Sequence, residues 1–96
     1  MEILVTYDVN TETAAGRRRL RRVAKVCERF GQRVQLSVFE CVVDAANLAL
    51  LSYALEQEID PEQDSLRIYR LHEPRKRHVK VLGKQLEHDQ REPLIF

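Results

Sequence analysis

Along this chain the spacing of hydrophobic residues changes four times, and the order of those changes leaves few folds open. Ile3–Val9 alternates with the period of a strand, with Ile3, Val5, Tyr7 and Val9 on one face and Leu4, Thr6 and Asp8 on the other. A polar connection with good N-cap residues, Asn10–Thr13, leads into a stretch of helical period from Ala14 to Phe30. Its apolar stripe is Leu20, Val23, Ala24, Cys27 and Phe30, and Gly31 is expected to stop it. Arg33–Val43 alternates again. At 11 residues it is long for one strand and is divided into two antiparallel strands meeting near Ser37–Glu40, where no Gly or Asn marks the turn. Asp44 caps a second helix from Ala45 to Ile59, striped by Leu48, Leu51, Leu55 and Ile59 and ended by Asp60-Pro61. Ser65–Leu71 is the last clear strand.

The resulting order, β-α-β-β-α-β, predicts an α+β ferredoxin-like fold with an antiparallel sheet and both helices on one face. A chain of 96 residues supports one such core and no second catalytic domain. Residues 1–73 are assigned to the core and 74–96 to a tail with a basic loop at Arg75-Lys76-Arg77, a short extra strand at Val79–Leu82 and an apolar end at Leu94-Ile95-Phe96. Such a tail has no core of its own and is expected to pair across a dimer. Counting the alternation straight through places Ile3, Val5, Val34 and Leu36 under the helices. Leu4, Thr6, Asp8, Gln35, Ser37 and Phe39 then fall on the open face. A partly apolar open face calls for a cover, and a face-to-face homodimer supplies it. Phe39 is placed at the dimer seam, and Tyr7 is named with it as a dimer-face residue, although the rings of Tyr7 and Tyr69 are both assigned to the core.

The net charge is only +1, but the charges are segregated. Residues 17–33 hold eight bases (Arg17, Arg18, Arg19, Arg21, Arg22, Lys25, Arg29, Arg33) against Glu28 alone, whereas residues 56–64 hold five acids and no base. Most charge runs are solvated faces. Here the bases lack acidic partners four residues away, so they repel one another, and phosphates would relieve that repulsion. Arg17, Arg18, Arg19, Arg21, Arg22 and Lys25 are the candidate nucleic-acid-binding residues, with DNA or RNA as the polyanion. The aromatic residues do not form the pattern that stacks RNA bases on a sheet.

Asp8 is the candidate catalytic and metal-binding residue: a carboxylate at the end of a strand otherwise free of charge after Glu2, pointing to the open face. A strand-end Asp is more often a turn residue, and one carboxylate makes a poor Mg²⁺ site. Two copies of Asp8 brought together at a dimer axis would repel unless a cation or a proton lay between them, which makes a shared Mg²⁺ a coherent expectation. Other chemistry finds little footing. Asp60, Glu62 and Asp64 begin like a calcium loop, but Ser65 stands where Gly is required and Leu71 where the closing Glu is required. His72, His78 and His88 lack ligand spacing, three glycines make no phosphate cradle, and Cys27 and Cys41 have no evident base. The start MEILVTYD carries no signal pattern and no segment suits a bilayer, so a cytoplasmic protein without membrane contact is expected.

ILVTYDV in the first strand, the Gly16–Val23 run GRRRLRRV, GQRVQLSVFEC over 31–41 and DSLRIYRL over 64–71 occur in one order. Together they closely resemble the small CRISPR-associated Cas2 family over residues 3–71. The resemblance implies a ferredoxin-like homodimer, a metal-dependent endonuclease of RNA or DNA, and a partner in the integrase subunit of the spacer-acquisition complex. It carries the family aspartate onto Asp8, the basic helix onto Arg17–Arg22, and the Ser-x-Phe element onto Ser37 and Phe39, with Ser37 as a second catalytic candidate contacting phosphate. It also implies a C-terminal strand crossing to the other protomer, for which Val79–Leu82 is the candidate. Leu36 stands where many relatives carry an amide or aromatic residue, so it receives no polar role. A non-catalytic DNA scaffold bridging integrase subunits is the rival expectation, and a toxin-type ribonuclease on the same topology a third.

Overall fold

Strand β1 (Glu2–Asp8) takes the centre of the sheet because every second residue is apolar: Ile3, Val5 and Tyr7 are buried, and the residues between them are not. The computed structural model describes residues 1–84. Helix α1 (Ala14–Glu28) follows, capped by Thr13, whose hydroxyl accepts from the Gly16 amide at 3.0 Å. Strands β2 (Gly31–Gln35) and β3 (Val38–Val42) then form a hairpin. Helix α2 (Ala45–Glu58) is capped by Asp44, which accepts from the Asn47 amide at 2.7 Å, and β4 (Ser65–Arg70) completes the sheet. The sheet is antiparallel in the order β2-β3-β1-β4, the ferredoxin-like arrangement expected.

The core lies between the sheet and the helices. Ile3, Val5, Phe39, Val23, Cys27, Leu51 and Leu55 are its fully buried large side chains, with Leu66 and Ile68 of β4 packed against them. Removing each such side chain from water stabilises the fold by roughly 1.5–3 kcal/mol. Gly31 opens β2 and is not a left-handed helix cap. Its lack of a Cβ lets the strand pass against the Glu40 carbonyl and the Cys41 thiol.

The strand parity beyond Val34 differs from expectation. Phe39 faces the helices, opposite Val5 in the ladder, and its ring lies 6.3 Å from that of Tyr7. Neither residue belongs to an open dimer face. The reversal arises at the two-residue turn Leu36-Ser37, which sets Gln35 opposite Val38 on one face where straight alternation would separate them; a bulge between Arg33 and Gln35 precedes it in β2. Leu36 is consequently 79% exposed instead of buried. Tyr69 also leaves the core: it opposes Leu4, on the open face, and is 43% exposed. The apolar part of that face is therefore Leu4, Val38, Val42 and Tyr69, beside Glu2, Gln32, Glu40 and Arg67.

After β4 the chain passes over the open face of the sheet, toward Glu2 of β1 and Glu40 of β3. Leu71 donates to the Glu2 carbonyl, and a 3-10 turn at Arg75–Arg77 is held by the Arg75 amide on the Glu2 carboxylate and the Arg75 guanidinium on Glu40, both at 2.8 Å. Val79–Leu82 forms no strand in the single chain, because a strand needs a ladder partner and this segment has none among the described residues. Val79, Val81 and Leu82 are exposed. Leu94-Ile95-Phe96 lies outside the described residues.

The parity is testable by truncation. Phe39→Ala should cost about 3–5 kcal/mol in denaturant unfolding, whereas Leu36→Ala should change stability by less than about 0.5 kcal/mol. Equal losses at the two positions would contradict the placement.

Candidate active site

Asp8 ends β1 and is exposed, opposite Ser65 of β4. On its other flank the Tyr7 amide donates to the Ser37 carbonyl at 3.1 Å, which brings the β2–β3 turn to the same end of the sheet. The two catalytic candidates of the sequence are thus gathered at one end of the sheet, and Ser65 joins them. Ser37 is half-buried and contributes its backbone to β1. Among the described residues no group of three or more His, Cys, Asp or Glu side chains could hold a metal ion. Of Asp8, Ser37 and Ser65 at this end of the sheet, Asp8 alone carries a carboxylate. Mg²⁺ tolerates so few protein ligands when waters and substrate phosphates fill its remaining positions, and a second copy of Asp8 would double the protein's share.

The outer face of α1 is basic for a geometric reason. Val23, Ala24, Val26 and Cys27 are drawn into the core, which turns Arg18, Arg21, Arg22, Lys25 and Arg29 outward at helical spacing. Arg17 is also exposed and donates to the Thr11 carbonyl at 3.1 Å. Arg19 differs from its neighbours. Its Nε and one terminal nitrogen donate to the two carboxylate oxygens of Asp64 at 2.8 and 3.2 Å, with side-chain exposures of 16% for Arg19 and 0% for Asp64. Asp64 also accepts from the amides of Asn10 at 3.0 Å and Asp60 at 2.8 Å. Arg19 hydrogen bonding, aided by these amides, holds the Asp64 carboxyl below its usual range against the opposing effect of burial.

This ion pair was not legible as a pair, since its members stand 45 residues apart. The helical register did carry a hint, because Arg19 lies three residues after buried Gly16 and four before buried Val23. Beneath the basic face, the Arg33 guanidinium lies 5.2 Å from the Phe39 ring centroid. Burial pushes the Cys27 thiol up to about 12 and the Cys41 thiol to about 11, so neither supplies a thiolate at neutral pH.

A carboxyl whose folded pKa is depressed contributes stability that is complete above its unfolded value, about 3.9, and is lost as pH falls through the folded value. Asp64→Asn should therefore melt at lower temperature than the parent at pH 7, and the gap should narrow as the pH falls below about 4. Thermal scans from pH 7 to pH 3 that show a constant gap would contradict this.

Comparison with known proteins places the geometry in a family. Residues 1–79 match the family model described as CRISPR associated protein Cas2. The chain is 56% identical over its full length, and that of the relative, to the CRISPR-associated endoribonuclease Cas2 1 of Moorella thermoacetica. It is 51% identical, again over the whole of both chains, to the CRISPR-associated endonuclease Cas2 of Halalkalibacterium halodurans. The crystal structure of Streptococcus pyogenes Cas2 at pH 6.5 aligns with a TM-score of 0.80 and 55% identity, covering 86% of this chain and 100% of that one. No helix among the described residues is long and apolar enough to cross a membrane. With the strand order, the family match and full-length sequence identity in agreement, the chain belongs to the CRISPR-associated Cas2 family.

Proposed function

We propose that this protein is a metal-dependent endonuclease of CRISPR defence that cleaves phosphodiester bonds of RNA or DNA as a homodimer. The observation that carries this reading is an exposed carboxylate, Asp8, ending the central strand six residues before an α1 whose outer face is basic. The relatives whose names print an activity are endonucleases, and some are named endoribonucleases. Their names favour catalysis over the purely scaffolding role.

The open sheet face, with Leu4, Val38, Val42 and Tyr69, would meet its copy and bring two Asp8 carboxylates to one place. Asp8 from each chain would hold one Mg²⁺, which when bound supplies a nucleophilic water and offsets charge on the phosphate oxygens. The remaining tasks fall to the chain's own groups. Arg17, Arg18, Arg21, Arg22 and Lys25 bind the backbone without reading bases, and Ser37 and Ser65 lie at the Asp8 end of the sheet. The 74–96 tail, with its exposed Val79, Val81 and Leu82, would pair with the second protomer, and the integrase subunit of the acquisition complex is the proposed larger partner.

The decisive variant is Asp8→Asn, assayed with and without Mg²⁺ on single- and double-stranded RNA and DNA. It should fold and bind as the parent does while cleaving about 100-fold more slowly or worse, because an amide keeps the shape and loses the charge a hard cation needs. A companion variant, Arg18→Ala/Arg21→Ala/Arg22→Ala, should lose affinity for unrelated duplexes alike, with the slope of log K against log salt falling by about 0.9 per lost phosphate contact. Undiminished Mg²⁺-dependent cleavage by Asp8→Asn would remove Asp8 from catalysis. Absence of cleavage by the parent on all substrates would favour the scaffold.

A further inference from the structure

Four donors converge on a single carboxylate that has no exposed side-chain surface. Asp64 accepts from Arg19 twice, from the Asn10 amide and from the Asp60 amide, and its own amide donates to the Asp60 carbonyl at 2.8 Å. These contacts tie together three segments distant in sequence: the β1–α1 loop, the middle of α1, and the loop entering β4. Two of the three carry the proposed active site. Asp64 immediately precedes Ser65, the ladder partner of Asp8, and Asn10 lies two residues beyond Asp8. Asp8 is therefore held from both directions, across the sheet through Ser65 and along the chain through Asn10. Gly16 tightens the same joint, since a Cβ there would collide with the Asn10 carbonyl oxygen. The first turn of α1 thus sits directly on the loop that follows Asp8.

A stability role alone does not require this wiring. A buried ion pair gains little over apolar packing of the same volume, and a planar guanidinium on a carboxylate contributes direction as well as charge. What the hub fixes is the placement of the Asp8 strand end, between the loop that follows it and the β4 residue opposite it. We propose that Asp64, acting through Arg19 and the Asn10 amide, is a positioning residue for the cleavage reaction, holding in place the strand end that carries Asp8. The inference rests on the nuclease reading and reassigns Arg19, whose fork is committed to Asp64 and not to phosphate. Misplacement of reacting groups by about 1 Å can cost on the order of 100-fold in rate, so loosening this joint should act on turnover before it acts on binding.

The test uses Asp64→Asn, which keeps the shape and removes the charge, and Arg19→Lys, which keeps the charge and removes the fork. Both are assayed as full-length protein well below their melting temperatures. The expected result is a fall in kcat of about 10- to 100-fold with KM and nucleic-acid affinity unchanged within about twofold, the signature of an interaction realised in the transition state. In nitrogen-proton NMR spectra the amides of Asp8, Asn10 and Ser65 should shift, while those of Gly31–Arg33 at the far edge strand should not. Parental kcat in either well-folded variant, or a rise in KM at constant kcat, would overturn the proposal. If Asp8→Asn cleaves like the parent, the nuclease assignment fails on its own. The positioning claim is then decided by the spectra, and unmoved Asp8 and Asn10 amides would overturn it.

Discussion

The structure depends on the two-residue period of β1. This strand has a neighbour on each side, so all its hydrogen-bonding capacity is used within the sheet, and its side chains alone decide what the two faces become. Ile3, Val5 and Tyr7 point one way and nucleate the core with Phe39, Cys41, Leu66 and Ile68 from the flanking strands. The same period sends Leu4, Thr6 and Asp8 the other way. A one-residue slip would bury Asp8 without a partner and expose Ile3 and Val5, so the apolar face that folds the protein also holds the carboxylate out of the core.

Charge is organised by the same packing. Because α1 gives its apolar flank to the sheet, its bases are turned outward, and among the described residues only Arg19 of them is paired with a carboxylate. The acidic stretch at residues 56–64 behaves differently at its two ends. Asp64 is absorbed into the joint with Arg19, whereas Glu56 and Glu62 stay exposed. A nearly neutral chain thereby acquires a basic face suited to a phosphate backbone and an acidic end that would repel one.

Much of this was legible in the sequence because local rules governed it. The alternation of β1, the caps at Thr13 and Asp44, and the Leu51–Leu55 stripe of α2 each follow from residues within a few positions of one another. Phe39 was misplaced because the two-residue turn at Leu36-Ser37, which neither Gly nor Asn announces, puts Gln35 and Val38 on one face and so shifts parity by one residue. The role of Gly31 was hidden for a related cause: its close approach is to Glu40 and Cys41 on a strand not yet placed. The Arg19–Asp64 pair needed the tertiary fold outright. Asp8 stood out because a charge at the end of an apolar strand is conspicuous without any partner, and the structure places it exposed at that strand end.

If two chains complete one site around Asp8, as proposed, divalent binding has a fixed stoichiometry. Calorimetric titration of Mn²⁺, standing in for Mg²⁺, into the protein at a concentration where sedimentation shows the dimer should give one ion for every two chains. Asp8→Asn should abolish that binding while leaving the dimer intact. One ion per chain, or unchanged binding in Asp8→Asn, would contradict the shared carboxylate site.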